Sequence, residues 1–207
     1  MNGFGKGETH KGRASRGLRA ANSGFGLTEL VATVGMVAVV IGLGIPSYEN
    51  AVEKRRVAQG AEHIAAFVNS VQSESIKRNR MVAVSYATET DGSWCIGAVL
   101  GQLPCDCTET RPEANGYCAL EGEQWALRDR DIETPNLIRS VSGDGAYVFD
   151  PVRGLFTDSS DVMSLGLGAA DSNYQVNLDV IPTGRVSVCL PEPSESIQGF
   201  NTCSQDL

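Results

Sequence analysis

The sequence predicts an α+β protein: a long N-terminal helix, membrane-spanning in its first half, packed on an antiparallel β-sheet or sandwich head. Three observations carry this. A run from Phe25 to Ile45 has Glu29 as its only charge. Apolar or small residues then recur at helical spacing as far as Ser75. From residue 81 the pattern changes to short strand-like runs separated by turn residues, and all six cysteines lie there.

The first element is a basic leader, residues 1–24, where Lys6, Lys11, Arg13, Arg16 and Arg19 face Glu8 for a net of +4. The whole chain of 207 residues carries −8, so residues 25–207 carry −12. That balance argues against a nucleic-acid binder working by bulk charge. With 42% hydrophobic and 20% charged residues the chain is ordinary globular material, enough for one domain plus an appended element. Two histidines, His10 and His63, argue against a histidine-rich metal or hydrolase site.

Residues 25–45 form the second element. As a helix, these 21 residues span roughly 30 Å, the thickness of a bilayer's hydrocarbon core. The basic leader would hold the N-terminus in the cytoplasm. Lys54, Arg55 and Arg56 beyond the span weaken that bias, although Glu49 and Glu53 accompany them. A cleavable secretory signal has a shorter apolar part ending at a small-x-small site, whereas GIPSYEN follows here. A simple signal anchor accounts for everything except Glu29, and a buried core helix would carry more polar residues. A carboxylate inside a bilayer costs on the order of 2.5–3.5 kcal/mol and needs a partner. No Lys or Arg lies within the segment, so the partner is expected in another molecule. A chain cut after Gly24 would supply one, the free α-amino group of Phe25.

The order Gly24-Phe25-Gly26-Leu27-Thr28-Glu29, closed by Ile45-Pro46, resembles the type IV pilin and pseudopilin family. The resemblance implies cleavage after Gly24 by a prepilin peptidase and N-methylation of Phe25. It implies that Glu29 pairs with the terminal amine of a neighbouring subunit. The partners are then other pilins or pseudopilins in a helical filament, with inner-membrane lipid around the helix before assembly. The head would stand in the bacterial periplasm.

The third element, residues 46–80, continues the helix. Val57, Ala61, Ile64, Val68, Val71 and Ser75 follow steps of four and three, one face of an amphipathic helix. Arg55, Arg56, Glu62, Asn69, Glu74 and Lys77 fall mostly off it, and His63 reads as a partly buried surface residue. Gly42, Gly44 and Pro46 predict a kink or locally melted turn where the span ends, since proline costs a helix interior about 3 kcal/mol. The helix is expected to end between Arg78 and Arg80. There Ser73-Glu74-Ser75-Ile76-Lys77-Arg78-Asn79 and the following Val82 are similar to the "SEAIKRN…V" signature of the GspH/FimT group of minor pilins and pseudopilins.

Residues 81–207 form a disulfide-bearing β head. Asp91-Gly92 marks a turn between MVAVSY and SWCIGAV. Gly143-Asp144-Gly145 precedes AYVFD, and Thr183-Gly184 precedes RVSVCL. Tyr174, Val176, Leu178 and Val180 alternate with Gln175, Asn177 and Asp179, a strand with one wet face. Residues 105–135 read as a variable loop region. Cys95, Cys105, Cys107, Cys118, Cys189 and Cys203 are an even number in an oxidising compartment, with fifteen possible pairings. Local closure favours Cys189–Cys203, Cys107–Cys118 and Cys95–Cys105. The competing reading is a zinc site from Cys95, Cys105, Cys107 and Cys118, against which the tight Cys-x-Cys spacing counts.

No catalytic constellation stands out: there is no Gly-x-Ser-x-Gly, no His-Glu-x-x-His and no histidine in the head. The sequence therefore predicts a non-enzymatic filament subunit with no cofactor and no metal. It serves either a type IV pilus or a type II secretion pseudopilus. Some similar proteins bind DNA through Gly-Arg-x-Arg. Here Gly184-Arg185-Val186-Ser187 lacks the second arginine, which leaves Arg185 as a weak DNA contact or, more simply, a residue paired within the sheet.

Overall fold

The structure, a computed structural model, describes residues 26–89, 92–132, 138–142, 146–158, 162–168 and 173–203, with backbone only for 43–47 and 138–142. Helix α1 runs Leu27–Arg78. Among the described residues ten short strands follow: β1 Val82–Thr88, β2 Trp94–Leu100, β3 Ala119–Leu120, β4 Glu123–Gln124, β5 Ala126–Arg128, β6 Ile138–Ser142, β7 Ala146–Phe149, β8 Met163–Gly168, β9 Gln175–Val180 and β10 Val186–Cys189. The chain divides into two compact units between Ile45 and Pro46.

The first unit holds the start of α1. Glu29 stands in the first turn, where a carboxylate complements the positive end of the helix dipole. The Glu29 and Leu30 N–H groups donate to the Gly26 carbonyl at 3.0 and 3.2 Å. Gly24 and Phe25 lie outside the described residues. At Gly44 and Pro46 only the backbone is described, and it is helical. Among the described residues no helix is long and apolar enough to cross a membrane; residue 25 and the side chains of 43–45, which belong to the expected span, are not among them.

In the second unit the rest of α1 packs on two four-stranded antiparallel sheets, ordered β5-β2-β1-β7 and β10-β9-β8-β6, with a small β3-β4 hairpin beside them. The helical stripe expected from spacing is the stripe that is covered: Val57, Ala61, Ile64, Val68, Val71 and Ser75 are each no more than 1% exposed. A fully buried Val or Ile side chain contributes roughly 1.5–3 kcal/mol, so the four in this stripe are the main attachment of helix to head. They join Val82, Val84, Ile96, Phe149, Leu165, Val176 and Leu178 in one core.

Several expectations for the head are corrected. Residues 105–135 are not a structureless loop: they contribute β3, β4 and β5, and β5 pairs with β2 through Cys95↔Arg128, Ile96↔Leu127 and Gly97↔Ala126. Asp179 does not face water. It is buried and accepts a short hydrogen bond from the hydroxyl of Ser164, its cross-strand partner. His63 is exposed rather than partly buried. Asp91 and residues 143–145 fall outside the described residues, but the Gly92 N–H donates to the Glu89 carbonyl at 3.0 Å and β1 and β2 pair antiparallel as a turn there requires.

The cysteines pair as Cys95–Cys107, Cys105–Cys118 and Cys189–Cys203. The last is the expected tether of the C-terminal segment. The other two replace the expected Cys107–Cys118 and Cys95–Cys105: the bonds interleave along the chain and stack on β2. Gly97 makes room for this arrangement. A Cβ there would overlap the Cys118 sulfur and lie 2.9 Å from the Cβ atoms of Cys107 and Cys118, so only glycine leaves room for both bridges. With all six sulfurs bonded to one another no thiolate remains, which overturns the zinc reading.

Candidate functional site

Two places concentrate the residues singled out in the sequence. The first is the apolar stretch of α1. Leu27, Leu30, Val31, Val34, Met36, Val37, Val39, Val40 and Ile41 are all more than half exposed, Leu27 at 81%. They lie on every side of the helix rather than on one stripe. Glu29 is the single charged residue among positions 26–42. Contiguous exposed apolar surface on this scale marks an interface or a membrane contact, and nothing among the described residues of the first unit covers it.

The second place is the C-terminal end of α1, where the signature residues become a helix stop. Asn79 adopts a left-handed φ of 51°. Its N–H donates to the Ile76 carbonyl at 3.1 Å, and that of Arg80 to the Ser75 carbonyl at 3.2 Å, the paired bonds of a Schellman cap. Ser75 is buried because it points into the head, its hydroxyl 2.9 Å from the Arg80 carbonyl oxygen and 3.3 Å from that of Phe149. Glu74 accepts from Lys77 Nζ at 2.9 Å and Arg78 Nε at 2.6 Å. Arg78 also pairs with Glu121, joining the helix end to the β3-β4 hairpin.

One turn earlier, Gln72 was not singled out by the sequence, yet it locks the junction. Its side-chain amide donates to the Gly154 carbonyl at 2.7 Å. Gly154 and Gly184 both have positive φ, 67° and 76°, and both crowd Gln72. A Cβ on Gly184 would overlap Gln72 Nε2 and lie 2.5 Å from the Gly154 oxygen. The turns that hold Gly154 and Gly184 thus meet on one helix residue. Arg128, equally unforeseen, is buried and holds the disulfide region together: Nε and Nη2 each lie 3.0 Å from the carbonyl oxygens of Cys107 and Glu109.

The ion pairs at these places set an acid limit. Hydrogen bonds from Lys77, then Arg78, hold Glu74 below the usual glutamate value. Arg111 holds Glu109 at about 2. A carboxylate with a lowered folded-state value stabilises the fold above its ordinary value and loses that contribution as pH falls toward the folded one. Thermal melts should therefore shift down between the ordinary glutamate range and about pH 2. A Glu109→Gln chain should lose less over that window than the parent, and equal losses would contradict the assignment.

Arg185 is exposed. Among the described residues its side chain makes no ion pair, so the expected partner within the sheet is not found there. No group of three or more His, Cys, Asp or Glu able to hold a metal occurs among the described residues.

A helix with an uncovered apolar start and one carboxylate, whose second half is fixed to a disulfide-braced β head, defines a structural subunit of the minor pilin or pseudopilin class. The sequence model of the family described as type II transport protein GspH matches residues 60–184, more than half the chain. The chain belongs to the GspH family and is a non-enzymatic, pilin-like component. Among solved structures it is similar to two crystal forms of the type IV minor pilin FimU of Pseudomonas aeruginosa strain PAO1. The first is 14% identical with a TM-score of 0.45, covering 72% of this chain and 96% of that one. The second is 14% identical with a TM-score of 0.41, covering 69% and 98%. No curated protein matches it.

Proposed function

We propose that the chain is made as a precursor, cut after Gly24 by a prepilin peptidase and N-methylated on Phe25. Residues 25–45 then anchor it singly in the bacterial inner membrane, N-terminus cytoplasmic and head periplasmic. From there it joins other pilins or pseudopilins in a type IV pilus or a type II secretion pseudopilus. Gly42, Gly44 and Pro46 give the helix room to bend as it leaves the lipid. The single observation behind this reading is Glu29, one carboxylate in a row of exposed apolar residues. In lipid it lacks a counter-charge; in a filament the α-amino group of an adjacent Phe25 supplies one.

The test separates processing from assembly. A Gly24→Arg chain should keep its leader on a gel. A Glu29→Ala chain should lose the leader normally, yet be depleted about a hundredfold or more from sheared filaments, the scale of one broken buried charge pair. Normal incorporation of Glu29→Ala would defeat the pairing. Deleting the gene and scoring twitching and protein export side by side assigns the machine: loss of export with normal pili selects secretion, and the reverse selects the pilus.

A further inference from the structure

Helix α1 carries its bases at two places. Lys77 and Arg78 in its last turn are paired with Glu74. Lys54, Arg55 and Arg56 are the only lysines and arginines of residues 46–76, and they follow a span whose far side the charge rule expects to be poor in bases. Lys54 is engaged within the head, its Nζ 4.7 Å from the centre of the Tyr174 ring. Arg55 and Arg56 are exposed, and among the described residues neither makes an ion pair, although residues 25–207 carry a net −12. With Gln59 and His63 they line one side of an open groove of about 490 Å³. Gly60 lies in the same lining and brings no side chain to fill it. Asp131 on the other side is already engaged, accepting the Arg128 N–H at 2.9 Å.

We propose that Arg55 and Arg56 hold, in this groove, the headgroup phosphate of an anionic phospholipid while the subunit is anchored. The proposal rests on the membrane anchoring put forward above and names a headgroup contact made there. Arg55 follows Ile45, the end of the expected span, by ten residues, about 15 Å of chain when helical. The headgroup layer reaches roughly 5–8 Å beyond the hydrocarbon. Helical side chains lean back toward the N-terminal end and cover the preceding turn, about 5 Å away, and here that end leads to the span. A guanidinium carried back by one turn therefore comes to the outer edge of the headgroups. A phosphodiester presents the paired oxygens that a guanidinium takes in two parallel hydrogen bonds. Gln59 and His63 add N–H donors beside it. The same bases that disfavour this topology on charge alone become, in this arrangement, the residues that set how deep the subunit sits before it is built into a filament.

The experiment reads each arginine separately and needs no substitution. The full chain is placed in bilayer discs of phosphatidylcholine, with and without phosphatidylglycerol, and the rate at which phenylglyoxal modifies each arginine is followed by peptide mass. Arg55 and Arg56 should react about tenfold more slowly when phosphatidylglycerol is present, the scale of two bases at an anionic surface. Arg153 and Arg185 are exposed and make no ion pair among the described residues, so they serve as controls and should keep their rates. Equal rates of Arg55 and Arg56 in the two kinds of disc overturn the proposal. So does equal slowing of all four arginines, which reports only the charge of the surface. So does the same protection by soluble glycerophosphate in detergent, which would assign the arginines to a free anion. So does protection that appears in detergent without lipid as the protein is concentrated, which would assign them to another protein chain. Flotation with vesicles of the same lipids after an alkaline wash reports anchoring separately. A chain that floats with Arg55 and Arg56 unprotected defeats the headgroup contact alone; a chain washed off defeats the anchoring and the contact with it.

Discussion

Gly184→Val is expected to lower the stability of the head by about 3 kcal/mol or more, a fall in melting temperature of roughly 6–12 °C for a domain of this size. Two penalties add. A β-branched residue at a φ of 76° carries roughly 1–3 kcal/mol of backbone strain. Its side chain also enters space already held by Gln72 and the Gly154 oxygen, and overpacking of a closed junction costs about 1–3 kcal/mol. The obvious relief, withdrawal of Gln72, leaves the Gly154 carbonyl without its donor. A Gln72→Ala background should therefore soften the effect of Gly184→Val, because it removes the clash with Gln72 while leaving the one with the Gly154 oxygen and the backbone strain. Melting of the single and double variants checks both. A Gly184→Val head that melts with the parent would mean the helix does not seat against this turn as described.

Loss of the interleaved bridges should be as large. Cys95–Cys107 and Cys105–Cys118 close separations of 12 and 13 residues, each worth roughly 3 kcal/mol in the chain-entropy model. They are not independent. Once Cys95 and Cys107 are joined, Cys105 is already near its partner, so the second bridge closes a chain already constrained. Removing both pairs should cost clearly less than twice the loss of one. Denaturant unfolding of the C95S/C107S, C105S/C118S and quadruple Cys→Ser chains measures this. Full additivity would show that the bridges brace separate parts of the head. In every reduced form, the buried Ser85 hydroxyl, which donates to the Cys105 carbonyl at 2.8 Å and accepts from the Cys105 N–H at 3.1 Å, should still hold that loop loosely to β1.

These two cases also mark where the sequence stops being informative. The buried stripe of α1 was readable because helical periodicity is a local property, and all six expected positions are the covered ones. The helix stop was readable as a pattern but not as a mechanism. The left-handed Asn79 closes a local cap, but the burial of Ser75 depends on Phe149, 74 residues away. The disulfide pairing was not readable by loop length. The expected pairs would close separations of 10 and 11, against the 12 and 13 found. That is a difference of about 0.3 kcal/mol in closure entropy, too small to choose a partner. The pairing found needs the space that Gly97 leaves beside β2. Gln72 and Arg128 carried no signal at all, because their roles are hydrogen bonds to backbone carbonyls that only the folded head brings within reach. Asp179 read as wet from strand alternation, which cannot foresee that Ser164 would lie across from it.

The most direct test of the account is the mass of the N-terminal peptide of the chain taken from the membranes of its own producing cell. Trimming at the leader is what puts an amine opposite Glu29. The account predicts a peptide that begins at Phe25 and is heavier by one methyl group. A chain found there only with Met1 at its start would contradict it.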